Sequence, residues 1–478
     1  MIAQIRQIVR CVFSVLALSA MSWNGVSSQA EGARPNLLIV HADELNFREL
    51  GCYGGKIVDT VHIDRLAAGG ARCDRFYATT PVCSPSRAAF VSGLYPHHTP
   101  VVTNNIPLDD EIVTFAEILR QQGYATGYAG KWHLDGTGKP QWAPRRQFGF
   151  ADNRYMFNRG HWKKLELGPN GPAVAAKNNK GAPSYDVSGA DEKSFTTDWL
   201  TDRAIEFVES HRAKPFCYML SIPDPHGPNT VRPPYDTMYD DVDVPVPATL
   251  KKTSEQTPKW GPTANVSPAQ VARIMPEYYG MIKCIDDNVG RLLSVLKEND
   301  LLQNTIVVFT ADHGDLCGEH GRLNKGVPYE GSAKIPMVIH YPRRVSPGVV
   351  LDQALSCVDF APTILNLMEV STDQEFHGRD AHGFLVGDPP TDWTDVAFLR
   401  GTKSWLSAVT GRYKLVCSTV DEPWLFDLEN DPDELHNVYR DSKHREAAET
   451  LRRQLRQYTV KYKDPRGDEP KVRAQLGE

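Results

Sequence analysis

The stretch NLLIVHADEL, residues 36–45, decides the fold class that this sequence predicts. It begins with a short apolar run and ends in polar residues, a pattern typical of a strand buried on both faces. Three more such runs follow along the chain: FCYMLSI (216–222), TIVVFTAD (305–312) and MVIHY (337–341). We therefore expect NLLIV (36–40) and these three runs to form buried strands.

Amphipathic segments separate these strand candidates. Apolar residues recur at i, i+3, i+4 and i+7 in the segments 112–123, 197–212 and 276–300, which is the spacing of one helix face. Alternation of buried strands with helices favours a mostly parallel, doubly wound sheet. The predicted fold class is therefore α/β, with a large sheet flanked by helices.

The pattern changes near residue 386. Four shorter strand candidates follow, AFLRG, SWLSAVTG, YKLVCST and EPWLFDLEND, and then one amphipathic helix around 443–459. This order predicts a smaller C-terminal α+β subdomain of antiparallel strands and one helix. We expect a main domain over 31–385 and the subdomain over 386–478.

Residues 1–30 have the pattern of a secretory signal peptide. Arg6 and Arg10 precede a short apolar core, residues 11–20, and the small residues Ser28 and Ala30 suit a cleavage site. The apolar core is too short to span a bilayer, and no later segment is apolar enough to do so. We expect a secreted or periplasmic protein without a membrane span; a buried N-terminal strand is the alternative.

Charge and cysteine spacing exclude several classes of function. The chain has 478 residues and a formal net charge of -6, without a long Lys/Arg block. We expect no nucleic-acid partner, because phosphates demand a basic face. An anionic substrate would need a local basic pocket. The cysteines are scattered without a Cys-x-x-Cys pair, which argues against a zinc site or a dense disulfide framework.

Polar residues follow two of the predicted strands directly. Asp43 and Glu44 follow the first, and Asp312 and His313 follow TIVVFT. If these strands are neighbours, the two pairs meet at one edge of the sheet and form an oxygen-rich site suited to calcium or magnesium. The alternative is that they are solvated strand-end or helix-capping residues.

Cationic residues also follow strand candidates. Lys131 and His133 are two residues apart, so in an extended segment they face the same side. His226 and Lys325 lie just past other strand ends. Together with Arg87 these residues supply positive charges and proton shuttles, which is what binding and cleaving an oxyanion ester requires.

Two long stretches, 150–193 and 226–268, interrupt the alternation of strands and helices. They are either the rims of a substrate cleft or surface excursions. The first contains FNRGHWKK, which is either an ordinary basic loop or an aromatic and cationic subsite for a substrate. The subsite residues would be Arg159, His161, Trp162 and Lys163.

One further motif, Cys83-Ser84-Pro85-Ser86-Arg87, connects these features. It occurs in CSPSRAAFVSGLYPHH, together with RPNLLIVHADELN, TVHIDRLAAGG, GYAGKWHLDG, TADHGDLCGEHGRLNKGVPYE and WLFDLENDPDELHNV. With these motifs the chain resembles the type I sulfatases of the alkaline phosphatase-like superfamily over nearly its whole mature length. The resemblance implies a catalytic sulfatase domain over 31–385.

The resemblance implies that Cys83 is oxidised to Cα-formylglycine. A formylglycine-generating enzyme would act on the unfolded segment, with Pro85 and Arg87 as recognition elements. The aldehyde hydrates to a geminal diol, of which one hydroxyl attacks the ester sulfur and the other later eliminates sulfate. Ser86 would hold the turn into the following helix.

The resemblance also implies a metal site. Its ligands would be Asp43, Glu44, Asp312 and His313, together with the modified Cys83. Calcium is the usual ion, with magnesium or another divalent cation as the alternative. Two positions depart from the commonest family pattern: Glu44 is usually Asp or an amide, and His313 is commonly Asn.

The remaining roles follow from the same resemblance. Arg87 would hold the hydrated aldehyde, and Lys131 and Lys325 would bind sulfate oxygens. His133 would act as base in the elimination, and His226 would protonate the leaving alcohol. The implied substrate is a sulfated carbohydrate. The alternatives are a phosphodiesterase or phosphonate monoester hydrolase, and a non-catalytic ligand-binding protein if Cys83 stays unconverted.

Overall fold

The computed structural model describes residues 34–477, and its largest element is an eight-stranded sheet. The strands of the chain are β1 (Asn36–Asp43), β2 (Ala71–Cys73), β3 (Phe76–Tyr77), β4 (Ala125–Lys131), β5 (Asp152–Phe157), β6 (Leu165–Gly168), β7 (Gly171–Val174), β8 (Phe216–Pro225), β9 (Thr305–Ala311), β10 (Met337–His340), β11 (Val349–Leu351), β12 (Leu355–Ser356), β13 (Ala397–Arg400), β14 (Trp405–Val409), β15 (Tyr413–Ser418) and β16 (Trp424–Asp427). The strand order of the large sheet is β11-β2-β10-β9-β1-β8-β4-β5.

The sheet is mostly parallel around β1. This strand pairs in parallel with β8 and β9, and β4 pairs in parallel with β8 and β5. Within the described part of this sheet, β10 is the one strand that runs antiparallel to its neighbours. All eight residues of β1 are buried, because helices cover a parallel sheet on both faces. The predicted α/β class with a doubly wound sheet is confirmed.

Helices connect and flank the strands. They are α1 (Val61–Ala68), α2 (Cys83–Ser92), α3 (Phe115–Gln121), α4 (Thr196–His211), α5 (Pro268–Glu298), α6 (Glu330–Ala333), α7 (Cys357–Leu367), α8 (His382–Val386), α9 (Arg445–Lys461) and α10 (Pro470–Gln475). The three predicted helices correspond to α3, α4 and α5. No helix within residues 34–477 combines the length and apolar character needed to cross a bilayer.

The helix α5 begins earlier than the apolar pattern predicted. Ser267 caps it, since its side chain accepts from the Gln270 N–H while the Gln270 side chain reaches back to the Ser267 N–H. Pro268 suits the first turn, where its missing N–H has no helical partner. Pro276, taken as the start of the helix, lies inside it.

The long stretch 150–193 contains regular structure that the sequence did not reveal. The edge strand β5 lies in it, and β6 and β7 form a hairpin. These strands are short and only partly buried, so they lack a continuous apolar run. The stretch 226–268 contains one short 3-10 helix, Ala248–Leu250, and no strand up to the start of α5.

The C-terminal strands β13–β16 form an antiparallel four-stranded sheet in chain order. Its two inner strands contact α9, so the predicted subdomain of antiparallel strands and a helix is confirmed. The boundary at 385/386 stays a prediction, and the predicted signal peptide, residues 1–30, lies outside the described residues. The cysteines within residues 34–477 form no disulfide.

A buried ion cluster connects the C-terminal sheet to α6. Lys414 of β15 is fully buried and donates to Glu330 Oε1 at 2.6 Å and to Glu434 Oε1 at 2.9 Å. It also donates to the Pro328 carbonyl at 2.8 Å. One ammonium thus bridges two buried carboxyl groups.

Replacing Lys414 with methionine is expected to destabilise the fold, because Glu330 and Glu434 lose the cation between them. Removing one partner of a buried ion pair typically costs about 3–5 kcal/mol, so the thermal unfolding midpoint should fall in calorimetry. Arg440→Ala is the control, since Arg440 and Glu422 pair on the surface. Equal midpoints for the two variants would contradict this role of Lys414.

Candidate active site

Two acidic segments meet because β1 and β9 are parallel neighbours. Ala42 lies opposite Ala311, so that Asp43 and Asp312 follow at the same edge of the sheet. The backbone N–H of Glu44 donates to Asp312 Oδ1 at 3.1 Å. All three acidic side chains are buried. The strand ends therefore bring the two segments together as the sequence predicts.

Cys83 is the first residue of α2 and directs its thiol at this edge. Its Sγ lies 3.2 Å from His313 Nε2, 3.7 Å from Lys131 Nζ and 4.0 Å from Asp43 Oδ1. Burial raises the pKa of the Cys83 thiol, but Lys131 and other nearby cations outweigh burial and hold that pKa well below its ordinary value. A group at position 83 therefore experiences a field that favours negative charge.

Serine hydroxyls hold α2 against the strand ends. Ser84 Oγ donates to the backbone carbonyl of His133 at 2.7 Å, and Ser86 Oγ donates to the backbone carbonyl of Asp312. Both serines are fully buried. These bonds fit the structural role that the sequence suggested for Ser86.

Arg87 lies between the two aspartates. Its Nε donates to Asp312 Oδ2 at 2.9 Å, and its Nη2 donates to Asp43 Oδ2 at 3.1 Å. Its Nη1 donates to the Lys131 carbonyl and to Ser221 Oγ. Burial raises the pKa of Asp43, but Lys131 and Arg87 lower it well below its ordinary value. Both carboxylates are therefore available as anions in spite of their burial.

Lys131 ends β4, and His133 follows two residues later. Lys131 Nζ contacts Asp43 Oδ2 and lies 2.8 Å from His161 Nε2. His133 has a φ of 63°, and its Nε2 lies 3.1 Å from Asn105 Oδ1. Burial lowers the pKa of His133. A neutral imidazole at this position can accept a proton.

Glu44 pairs with two of the predicted cationic residues. Its Oε2 lies 2.8 Å from His226 Nε2, and its Oε1 lies 2.8 Å from Lys325 Nζ. Burial lowers the pKa of His226, but Glu44 raises it, and the net pKa is above the ordinary value. The Glu44 carboxylate therefore favours a protonated His226, which can donate a proton.

Four donor atoms form a compact group at this edge. They lie within 4.8 Å of one another and belong to Asp43, Cys83, Asp312 and His313. His313 Nδ1 lies 3.0 Å from the Gly314 carbonyl, so Nε2 is the donor that faces the group. The Glu44 carboxylate lies outside the group, against His226 and Lys325, and this arrangement does not support Glu44 as a ligand.

Substrate binding by Trp162 stays a prediction, and the structure places this residue in the interior of its loop. Its side chain is only 3% exposed, and its Nε1 donates to the Arg159 carbonyl at 3.1 Å. The ring packs against Tyr185, with the Lys139 ammonium 5.4 Å from the ring centroid. These contacts fix the Trp162 ring within its own loop.

His161 is the residue of this loop that reaches the site. Its ring stacks on that of His226, with centroids 3.6 Å apart and planes 7° apart. Lys163, by contrast, is buried in an ion pair with Asp224. The sequence pointed to His161 only as one member of a loop subsite, because no motif relates it to residue 226.

Sequence reasoning also missed Ser221, whose hydroxyl accepts from Arg87 and donates to the Lys131 carbonyl. The available signal was a polar residue inside the apolar run FCYMLSI. Asn105 carries no comparable signal, because it lies in an irregular loop.

Comparison with known proteins decides the family. The model of the Sulfatase family matches residues 35–370, and that of the N-sulphoglucosamine sulphohydrolase C-terminal region matches residues 318–461. This chain belongs to the sulfatase family. The enzyme is therefore a hydrolase of sulfate esters.

Individual relatives agree with this assignment. The N-acetylglucosamine-6-O-sulfatase of Bacteroides thetaiotaomicron is 27% identical, over 95% of this chain and 92% of that protein. A chain solved with its substrate D-glucosamine-2-N,6-O-disulfate has a TM-score of 0.76 at 23% identity, covering 92% of this sulfatase and 99% of that chain. A phosphonate monoester hydrolase of Agrobacterium radiobacter has a TM-score of 0.69 at 23% identity, covering 93% and 96%. The two solved structures support the alkaline phosphatase-like fold.

The donor group predicts how this sulfatase responds to loss of a ligand. Asp312→Asn and His313→Ala are expected to lower the metal bound per protein molecule, measured by elemental mass spectrometry after dialysis, because each removes one of the four donors. His436→Ala is the control, since His436 is exposed and distant in sequence from the group. Unchanged metal content in both site variants would contradict a metal site here.

Proposed function

We propose that this sulfatase cleaves sulfate esters of a carbohydrate, using a formylglycine formed from Cys83 and one divalent cation. The observation that carries the proposal is the set of charged groups around the Cys83 thiol. Lys131, Lys325 and His313 act together on it and lower its pKa, in a chain with a net charge of -6. This is the local basic pocket that an anionic ester requires.

The residues present fit a hard divalent cation. Asp43 and Asp312 offer carboxylate oxygens and His313 offers Nε2, while modification of Cys83 replaces the soft sulfur donor with oxygen. Such a donor set suits calcium, with magnesium as the alternative. When bound, the ion adds positive charge that polarises a sulfate oxygen.

Position 83 also fits the modification. The Cys83 side chain is 2% exposed, so a formylglycine-generating enzyme has access to it only before the chain folds. The hydrated aldehyde supplies a hydroxyl nucleophile in place of the thiol. Arg87 lies one turn further along α2, where it holds both aspartates beside this group.

The other site residues have separate roles around the sulfate. Lys131 and Lys325 bind sulfate oxygens and stabilise the charge that develops on them. His226 donates a proton to the leaving alcohol, because Glu44 favours its protonated form. His133 accepts a proton, because burial favours its neutral form.

The class of substrate rests on the relatives. The N-acetylglucosamine-6-O-sulfatase and the chain solved with D-glucosamine-2-N,6-O-disulfate both act on sulfated amino sugars by their names. We therefore propose a sulfated saccharide as the substrate. Together with the signal peptide that residues 1–30 suggest, this favours a secreted or periplasmic enzyme.

The proposal is tested on protein produced with a formylglycine-generating enzyme. Wild type is expected to hydrolyse 4-nitrophenyl sulfate and a glucosamine sulfate, and Cys83→Ala to lose both activities. Cys417→Ala is the matched control, because Cys417 is a buried cysteine of the C-terminal sheet. Peptide mass spectrometry at position 83 measures the conversion.

Two results would contradict the proposal. An unmodified Cys83 thiol without any hydrolysis would favour a ligand-binding protein. A preference for an aryl phosphodiester or phosphonate monoester over the sulfate would favour the reaction of the phosphonate monoester hydrolase neighbour.

A further inference from the structure

His161 contacts both Lys131, which we assign to the sulfate oxygens, and His226, which we assign to the leaving alcohol. Its Nε2 lies 2.8 Å from Lys131 Nζ. Its ring lies flat against His226, with centroids 3.6 Å apart. One imidazole thus touches two residues that come from different strands and have different roles.

The protonation of His161 is compatible with both contacts. Burial and the Lys131 ammonium lower its pKa well below the ordinary value, so the ring is neutral. A neutral Nε2 accepts a hydrogen bond from the ammonium. The face of a neutral ring also attracts the protonated imidazole of His226, as aromatic faces attract cations.

The ion pair between Lys163 and Asp224 sets the position of His161 relative to His226. Lys163 Nζ lies 2.5 Å from Asp224 Oδ1, and both side chains are buried. Lys163 is two residues after His161, and Asp224 is two residues before His226. Asp224 Oδ2 also accepts from the Thr197 hydroxyl at 2.7 Å. The backbones that carry the two stacked rings are therefore joined by one buried ion pair, and Thr197 fixes its carboxylate.

We propose that His161 is a positioning residue: Lys131 holds its ring in place, and the ring orients His226 on the leaving oxygen. This inference rests on the proposed function and deepens it. It assigns the site to sulfate esters of aliphatic hydroxyls, such as those of sugars, whose oxygen is a poor leaving group.

The basicity of the leaving oxygen explains why the orientation of His226 matters for sulfate esters of aliphatic hydroxyls. Hydrolysis breaks the bond between sulfur and the ester oxygen, and the electron pair stays on that oxygen. The ester oxygen takes a proton, and the hydroxyl of the hydrated aldehyde supplies the oxygen that completes the sulfate product. Water later restores the hydrate. An alkoxide of a sugar is strongly basic, so it needs His226 Nε2 aligned as the bond breaks. A 4-nitrophenolate leaves without such help.

The test measures kcat/KM for esters with leaving groups of different basicity. His161→Ala is expected to lose about 10- to 100-fold on a glucosamine sulfate, a part of what a general acid contributes, and much less on 4-nitrophenyl sulfate. His161→Phe keeps a stacking ring but not the acceptor, so it should recover part of the loss. Lys164→Ala is the control in the same loop, since its ammonium donates to the carbonyl of the exposed residue Ser188.

A double-mutant cycle separates positioning from general loss of structure. If His161 acts through His226, His161→Ala adds little on the sugar sulfate once His226 is alanine. Equal losses on both esters, or additive effects in the cycle, would overturn the role of His161 alone. Failure of matured wild type to hydrolyse any sulfate ester would overturn the proposed function together with it.

Discussion

The contact of Arg87 with Asp43 and Asp312 is the interaction on which the site depends. Two carboxylates at neighbouring strand ends repel each other, and burial penalises the charge of each. The guanidinium donates to both and also to the Lys131 carbonyl and the Ser221 hydroxyl. It thereby connects α2 with four strands of the sheet, β1, β9, β4 and β8, at the edge where position 83 lies.

Charge pairing continues outward from this contact. Lys131 contacts Asp43, while Glu44 pairs with His226 and Lys325. Each cation that we assign to the sulfate is thus held by a carboxylate in a buried setting, where a lone charge is costly. The same pairing sets the protonation of His226, which connects the architecture of the sheet edge to the proposed acid. Glu44, for which metal ligation stays a prediction, organises this outer layer of charges.

Most of the fold was predictable because strands buried on both faces have continuous apolar runs. The runs at 36–40, 216–222, 305–312 and 337–341 correspond to β1, β8, β9 and β10. Prediction failed where that signal was missing. The edge strand β5 mixes buried and exposed residues, and the start of α5 depends on a cap at Ser267 rather than on apolar spacing.

The sequence by itself determined the sheet, the family resemblance and the residues of the motifs that follow each strand. Tertiary structure decided what each side chain touches, because partners in this site are separated by up to about 280 residues along the chain, as Glu44 and Lys325 are. The fold buries the Trp162 side chain, pairs Glu44 with His226 and Lys325, and stacks the His161 ring on the His226 ring. Local sequence patterns do not predict such contacts, because the contacts depend on strand order and on buried ion pairs such as that of Lys163 with Asp224.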